Sequence, residues 1–266
     1  MKYFDVAEAR DLSGLRLVLT AHVPGPWGES AKKILDYKSI PYIPVAQYAA
    51  KENAELLAWT GIRNAPIALY NAEAPRTGWY EILMLAERLA PDRPLLPLRS
   101  EVRAMVLGLC AEICGEWGFG WARRAMMGTP HAGTPDPARL ATLSPPPWAA
   151  EDLARMMSAY SASVGGPAQA PARCADIVRA LAERLRHQAA AGSRYFVGED
   201  ITAADIYWTV FSMALEPLPH AVNPMPDWMR MSYEMIGPVI AAAKDPILLR
   251  HRDYIYERYL PLPLDF

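Results

Sequence analysis

The sequence is poor in cysteine and almost without net charge, and both features exclude classes of protein. Only three of its 266 residues are cysteine, too few for a disulfide framework. Lysine and arginine total 27 against 29 acidic residues, a formal net charge of −2, so nothing electrostatic favours nucleic acid or an anionic membrane as a partner. No apolar run is long enough to span a bilayer. Because the first residues, MKYFDVAEARDL, carry charges where a signal peptide is apolar, we expect a cytoplasmic protein.

Two of the cysteines, Cys110 and Cys114, lie four residues apart within a helical pattern. This spacing suits neither a CxxC redox pair nor a zinc site. We therefore interpret them as reduced cysteines that serve as small core residues, and we predict no metal site.

The first ninety residues alternate between strand and helix patterns. Strands are predicted at LRLVLTA (15–21), PYIPVA (41–46) and APIALY (65–70), with a brief fourth in NAEAPRTG (71–78). Helices are predicted between them, from apolar stripes at Trp27, Ala31, Ile34 and Leu35, at 53–61, and from Trp79 to Leu89. The order βαβαββα predicts a small α/β domain with a mixed sheet over residues 1–90.

In the rest of the chain, apolar residues recur with the spacing of a helix. The proline-rich segment at 91–97 predicts a linker, and residues 98–266 predict an all-helical domain with an insertion at about 128–148. Apolar stripes mark the helices: Val102, Val106, Leu109, Ile113 and Trp117; Leu153, Met156, Met157 and Tyr160; Cys174, Ile177, Val178, Leu181 and Leu185. The tail RYLPLPLDF is expected to pack across the surface without regular structure.

The segment RYFVGEDITAADIYW (194–208) contains a capping box. Thr202 followed three residues later by Asp205 predicts a helix that begins at this point. As a pattern, VGEDITAADI closely resembles the motif in the C-terminal domain of the glutathione transferase superfamily.

Other segments are similar to this family in the same order. SIPYIPV (39–45) resembles the entry to its second strand, NAPIAL (64–69) the segment with its cis-proline, and YEILMLAERLA (80–90) its third helix. The resemblance implies a thioredoxin-like βαβαββα domain followed by an all-helical domain. It also implies glutathione as co-substrate, a small hydrophobic electrophile as second substrate and a homodimer. The motifs do not assign a class.

The resemblance implies how the backbone of glutathione would be held. In the family the residue before the cis-proline presents its amide and carbonyl to the cysteinyl part of glutathione, and here that residue is Ala65, before Pro66. Asn64 stands where relatives often carry glutamine or lysine near the glycine end, where an amide could donate to a carboxylate. The alternative for Asn64 is a turn-forming residue before a strand.

Relatives hold the γ-glutamyl end with an acidic residue followed by serine. This sequence has Glu81 but Ile82 in place of the serine. Free helix amides could still bind the carboxylate, with Arg76 or Trp79 as substitute donors. The alternative for Glu81 is a solvated acid that the helix dipole favours.

The residue that activates the thiol in relatives is missing. Serine-type and cysteine-type relatives place it just before a proline at the first helix, where this chain has Gly25 before Pro26. Tyrosine-type relatives place it near the end of the first strand, where this chain has Thr20, Ala21 and His22.

Main-chain groups could replace that side chain. The helix that starts near Pro26 directs its positive end at the site, and the amides of Trp27 and Gly28 could donate to a thiolate. His22 and Thr20, and Ser30 less directly, are candidate helpers. The alternatives are a structural histidine, core packing for Trp27, and a Ser30 hydroxyl that faces solvent or its own backbone.

The second substrate of this family lies against the first helix of the helical domain, here residues 110–127. Trp117, Trp121 and Arg124 are predicted to line its pocket, with Phe119 and Met126 as apolar wall and Glu112, Glu116 and Arg123 as further charges. Glycines 115, 118 and 120 predict a kink or a close approach of backbone. The alternative is a core helix with ordinary packing and surface ion pairs.

The resemblance thus favours a glutathione S-transferase-like enzyme that joins the glutathione thiolate to a hydrophobic electrophile. Gly25 and Ile82 favour a non-catalytic binding or structural protein on the same fold. A glutathione-dependent isomerase, lyase or reductase is a third possibility.

Overall fold

The computed structural model describes residues 1–127, 129–143, 151–152 and 166–266. The chain divides into two compact units, Met1–Pro94 with Leu264–Phe266 (unit 1) and Leu95–Pro263 (unit 2). Within the described residues, no helix combines the length and the hydropathy that a membrane crossing requires.

Unit 1 is a small mixed sheet with helices. Its elements are α1 (Val6–Ala9), β1 (Leu15–Thr20), α2 (Pro26–Tyr37), β2 (Ile43–Gln47), α3 (Ala54–Thr60), β3 (Ile67–Tyr70) and α4 (Trp79–Leu89). The strand order is β2-β1-β3, with β1 parallel to β2 and antiparallel to β3. The sequence predicted all three strands. It did not predict α1 or the bridge between Phe4 and Val45 that precedes it.

The predicted fourth strand is wrong. Between β3 and α4 the chain makes a single antiparallel bridge, from Arg76 to Ala68. Pro75 precedes the bridge residue and has no backbone N–H for a sheet hydrogen bond. The short segment between β3 and α4 therefore forms one bridge and no strand.

The core of unit 1 lies around β1. Leu15, Leu17, Val18 and Leu19 are all buried, because helices or neighbouring segments cover both faces of this strand. Helix α2 packs against α4. The two helices therefore lie side by side, and each begins at a segment of the candidate site described below.

Unit 2 is helical. Its elements are α5 (Ser100–Cys114), α6 (Phe119–Met126), a 3₁₀ turn (Pro130–Ala132), α7 (Pro137–Leu140), α8 (Gly166–Ala190), α9 (Ala203–Phe211), a second 3₁₀ turn (Ser212–Ala214), α10 (Asp227–Glu234), α11 (Gly237–Ala243) and α12 (Pro246–Tyr259). Helix α8 contacts α6, α11 and α12, and α9 contacts α5 and α12. The stripe predicted from Cys174 to Leu185 is buried, as expected.

The capping box at the start of α9 is confirmed. The Asp205 carboxylate accepts from the Thr202 amide at 2.7 Å and from the Thr202 hydroxyl at 2.8 Å. It also accepts from the Phe196 amide at 2.9 Å, and its own exposure is 0%. The motif therefore ties the preceding loop to the first turn of the helix.

The helix predicted through Trp117 is interrupted. Helix α5 ends at Cys114 and α6 begins at Phe119, with Trp117 between them at φ 59°. A Cβ at Gly115 would lie 2.6 Å from the Ala111 carbonyl oxygen, and one at Gly118 would lie 2.7 Å from the same atom. The close approach of backbone predicted from these glycines is therefore confirmed.

The three cysteines are buried, and none of them forms a disulfide. Burial raises the pKa of Cys174 to about 12, and it raises the pKa of Cys110 and of Cys114 well above the usual value. The interpretation of Cys110 and Cys114 as reduced core residues is confirmed.

The chain after α12 has no regular secondary structure, as expected for the tail, and Leu264 within it is buried. The Asp265 carbonyl accepts a hydrogen bond from the Lys32 ammonium, so the last residues pack on α2. Two other predictions fall partly or wholly outside the described residues: the stripe at 153–160, and the insertion at 128–148 at residues 128 and 144–148.

Candidate active site

The topology of unit 1 gathers the predicted glutathione-binding segments at one edge of the sheet. Parallel pairing of β1 with β2 places their carboxyl ends together, with Thr20 opposite Gln47. Antiparallel pairing of β1 with β3 places the amino end of β3 at the same edge, beyond the Val18–Ile67 pair. The turn at 21–25 and residues 64–66 therefore lie at this edge.

The turn at 21–25 leads directly into α2. The Val23 amide donates to the Thr20 carbonyl at 3.3 Å, and the Gly25 amide donates to the Val23 carbonyl at 2.8 Å. Gly25 is the N-cap of α2, at φ −69° and ψ 135°, and Pro26 occupies the first helical position. This placement agrees with the sequence prediction. The catalytic role of Gly25 stays a prediction.

The first turn of α2 offers main-chain donors. Among the described residues, the Gly28 amide has no hydrogen-bond partner. A Cβ at Gly28 would lie 3.3 Å from Leu19 Cδ2, whereas a Cβ at Gly25 would have open space around it. Trp27 is half-buried. The helix N-terminus attracts negative charge here because its first amides lack intrahelical acceptors.

The three candidate helper side chains differ in what they contact. The Thr20 hydroxyl donates to Gln47 Oε1 at 2.8 Å, so its proton is already used. Ser30 Oγ donates to the Trp27 carbonyl at 3.0 Å, which confirms the prediction that it bonds its own backbone. His22 is exposed, at φ 61°, and its ring lies edge-on to Tyr3 at a centroid distance of 5.7 Å. Of the three residues, His22 is exposed, Thr20 is half-buried and Ser30 is buried.

The Ala65–Pro66 peptide bond is cis, which confirms the prediction for Pro66. In the described part of the chain, neither the Ala65 main chain nor the Asn64 side chain has a hydrogen-bond partner. Asn64 is exposed and Ala65 is half-buried. Both groups are therefore available to a ligand.

The start of α4 agrees less well with the prediction. Glu81 is the third residue of the helix, and its Oε2 accepts from the Thr77 and Gly78 amides, each at 3.1 Å. The carboxylate therefore caps its own helix, in line with the structural alternative. Ile82 is buried in the core with 2% exposure. The amides of Thr77 and Gly78, just before the helix, are therefore already occupied.

Arg76, one of the two substitute donors predicted for the γ-glutamyl end, is in an ion pair. Arg76 Nη2 lies 2.6 Å from Glu73 Oε2, and Arg88 contacts the same carboxylate at 2.6 Å. Hydrogen bonds from Arg88 and Arg76 lower the pKa of Glu73. Arg76 is therefore paired with Glu73, and its role as a substitute donor to the γ-glutamyl carboxylate stays a prediction. Trp79 is half-buried, with its ring edge-on to Tyr80 at 5.8 Å.

The predicted pocket residues of unit 2 differ in burial: some lie in the core and others are partly exposed. Arg124 lies 5.7 Å over the ring of Trp121, and both are half-buried. The Trp117 carbonyl accepts from Arg173 Nε at 3.2 Å. Phe119 and Met126 are completely buried, as in the core-helix alternative. The role of Trp117, Trp121 and Arg124 in a pocket stays a prediction.

Two predicted pocket charges have structural partners. Arg123 is completely buried, and its Nε donates to the Ala214 carbonyl at 2.8 Å. Glu112 pairs with Arg173 at 2.6 Å. Arg123 therefore cannot supply charge to an open pocket.

The sequence interpretation missed a charged cluster on α2. Glu29, Lys32 and Lys33 are each about 3% exposed, and Glu29 pairs with Lys32 at 2.9 Å. Burial raises the pKa of Glu29, and burial also raises the pKa of Tyr3 to about 12. Three charged residues within five positions of a helix were a signal, but helical spacing alone did not show that the tail would cover them.

Comparison with solved structures supports the fold but not the details of the site. The chain is similar to the beta-etherase LigF of Sphingobium sp. strain SYK-6, with a TM-score of 0.61, 15% identity and coverage of 92% of this chain and 95% of that one. It is similar to rice GST1 (OsGSTU1), solved in complex with glutathione, with a TM-score of 0.58, 17% identity and coverage of 95% and 93%. A glutathione S-transferase of Methylobacterium radiotolerans, in complex with glutathione sulfonate, has a TM-score of 0.56, 17% identity and coverage of 96% and 98%.

No protein-family model matches the chain, and no curated protein matches its sequence. The structural similarities extend over nearly the whole chain, and they include both the mixed sheet and the helical unit. The chain therefore has the fold of the glutathione transferases, a thioredoxin-like domain followed by a helical domain.

Proposed function

We propose that the protein is a glutathione S-transferase-like enzyme that binds glutathione in unit 1 and joins its sulfur to a hydrophobic electrophile. The observation that supports this proposal most directly is that the cis Ala65–Pro66 segment and the N-terminus of α2 lie at the same edge of the sheet. The main chain of Ala65 and the amide of Gly28 both lack partners among the described residues. Two structures of the same fold hold glutathione or its sulfonate.

In this proposal the main chain of Ala65 grips the cysteinyl part of glutathione, and the first amides of α2 stabilise its thiolate. The thiol proton leaves to His22 or to water. The sulfur then attacks an electrophilic carbon, the S–C bond forms, and the leaving group departs with its electron pair. Thr20 assists only if its hydroxyl releases Gln47.

The ends of the tripeptide are recognised more weakly. The Asn64 amide donates to the glycine carboxylate, and Glu81 meets the ammonium of the γ-glutamyl group while it caps α4. Trp79 packs beside this end. We further propose that Trp117, Trp121 and Arg124 contact the electrophile, and that the protein is a cytoplasmic homodimer.

Calorimetric titration with glutathione tests binding directly. We expect saturable heat at millimolar concentration or below and a higher melting temperature at saturation. Absence of both would refute glutathione binding and favour the non-catalytic alternative.

A matched pair at Gly28 tests the main-chain donor. Gly28→Pro and Gly28→Ala add the same Cβ, which meets Leu19 at 3.3 Å in either variant, but only proline removes the amide. Proline within the first turn breaks no intrahelical bond, although it restricts Trp27 before it. We expect Gly28→Pro to slow conjugation by about a hundredfold and Gly28→Ala to keep most of the activity. Equal rates in two folded variants would contradict the role of this amide.

Two alternatives have support of their own. A non-catalytic protein on this fold is favoured by Gly25, by buried Ile82 and by the committed Glu81 and Arg76. A glutathione-dependent lyase is favoured by the similarity to a beta-etherase. An assay that follows glutathione consumption with an aryl ether and with an activated aryl halide separates the lyase from the transferase.

A further inference from the structure

A cavity in unit 2, remote in sequence from the predicted site residues, has the chemistry of an anion-binding site. It has a volume of about 250 Å³ and is lined by the end of α8, the loop at 191–194 and the first turns of α12. Its floor is apolar, formed by Leu185, Ala189 and Ile247. Arg194 and Arg250 also line it.

The two arginines carry positive charge that the described part of the chain does not neutralise. Both are exposed, and neither forms a hydrogen bond or ion pair through its guanidinium group there. None of the lining residues carries a carboxylate. The acid nearest in sequence to the start of α12, Asp245, is already paired with Arg186 and accepts from the Ile247 amide at 2.9 Å.

An aromatic face stands beside these charges. The guanidinium carbon of Arg194 lies 5.0 Å from the ring centroid of Tyr254. The Tyr254 hydroxyl is 3.3 Å from the hydroxyl of Tyr195, which fixes the orientation of the ring. Arg194 stacked on this ring keeps its N–H edges open to a planar acceptor.

His251 completes the wall without adding a free donor. Its Nδ1 lies 3.0 Å from the Arg194 carbonyl oxygen, and its Nε2 lies 3.2 Å from Asp205 Oδ1. Nδ1 therefore bonds to the backbone of Arg194. Nε2 forms no hydrogen bond, but it is buried beside Asp205, so the ring offers no donor to a ligand. The charge of the cavity comes from the two arginines.

We propose that this cavity binds a small aromatic carboxylate or sulfonate. The acid group accepts hydrogen bonds from Arg194 and Arg250, and the ring lies on the apolar floor beside Tyr254. The volume suits one or two fused rings, just below the range of about 300 Å³ and above that is usual for drug-sized ligands. The site is independent of glutathione binding.

Calorimetric titration with naphthalene-2-sulfonate tests this proposal, with the uncharged naphthalene-2-sulfonamide as comparator. We expect saturable one-to-one binding of the sulfonate and clearly weaker binding of the sulfonamide. Arg194→Gln and Arg250→Gln should each weaken sulfonate binding about tenfold, because each removes a charge-assisted hydrogen bond.

Arg179→Gln is the matched control, because Arg179 is exposed on α8, does not line the cavity and removes the same charge. We expect its affinity to stay within about twofold of the wild type. No saturable binding, equal losses in all three variants, or no loss in any of them would overturn the proposal. Glutathione titration of the same variants should be unchanged, so failure here and failure of the proposed function are distinct outcomes.

Discussion

Restoring a hydroxyl at Gly25 is the sharpest test of the thiol site. The N-cap position has φ −69°, ψ 135° and open space where a Cβ would stand, so serine enters without strain. In the unliganded protein its Oγ can accept from the Gly28 amide, as N-cap serines do. When glutathione binds, the thiolate takes over the Gly28 amide and the serine hydroxyl donates to the same sulfur. Gly25→Ser therefore adds one donor without removing one.

The expected effect on rate follows from that donor. A hydrogen bond to an ionised sulfur is worth roughly 1.5 kcal/mol, which lowers the pKa of the bound glutathione thiol by about one unit. Below both pKa values the thiolate is about ten times more abundant, but its nucleophilicity falls about threefold for a Brønsted coefficient of about 0.4–0.5. We expect Gly25→Ser to react about threefold faster at low pH and about threefold slower above both pKa values.

The assay is a pH–rate profile of conjugation at saturating glutathione, with an activated aryl halide as electrophile. Gly25→Ala is the control, since it adds the Cβ without the hydroxyl. Urea unfolding gives a second readout: serine should be a few tenths of a kcal/mol more stable than glycine, and alanine roughly 0.5–1 kcal/mol less stable. Superimposable profiles for serine and alanine would refute a thiol bound at this helix end, and an inverted order of stability would refute the capping argument.

Two further predictions concern stability. Arg123 donates to the carbonyls of Ala214, Ser232, Tyr233 and Met235 from a completely buried site, so Arg123→Met should cost about 3 kcal/mol in urea unfolding; a neutral or stabilising effect would show that the buried charge is a burden instead. Asp205→Asn replaces one acceptor oxygen of the capping box by a donor and should lower the melting temperature by about 5 °C. The exposed acid of the same loop, Asp200→Asn, should change it little, and equal shifts would contradict the prediction.

Features of the site that depend on near neighbours in sequence were predictable. Gly25 before Pro26 is a helix start because proline lacks an amide that the first position does not need. The Thr202–Asp205 box forms within one turn of α9. Glu81 three residues after Gly78 carries the same kind of local signal, and the sequence left open whether it binds a ligand or only stabilises its own helix.

Contacts between distant segments were not predictable from periodicity. Arg88 reaches Glu73 across fifteen residues and shares its carboxylate with Arg76. Burial of Lys32 depends on a tail more than two hundred residues away. In both cases helical spacing predicts a charged side chain in contact with solvent, but a segment distant in sequence packs against it and becomes its partner.

The sequence by itself determined the three strands, the starts of α2 and α9 and the break at 115–118, because hydrophobic period, capping and glycine sterics act within a few residues. Tertiary structure alone decided which polar groups remain free. It occupied Thr20, left Ala65 and Gly28 without partners among the described residues, and brought Arg194 beside Tyr254. The reason is physical: a side chain's availability depends on every segment that packs around it, whereas a helix or strand depends chiefly on its own pattern.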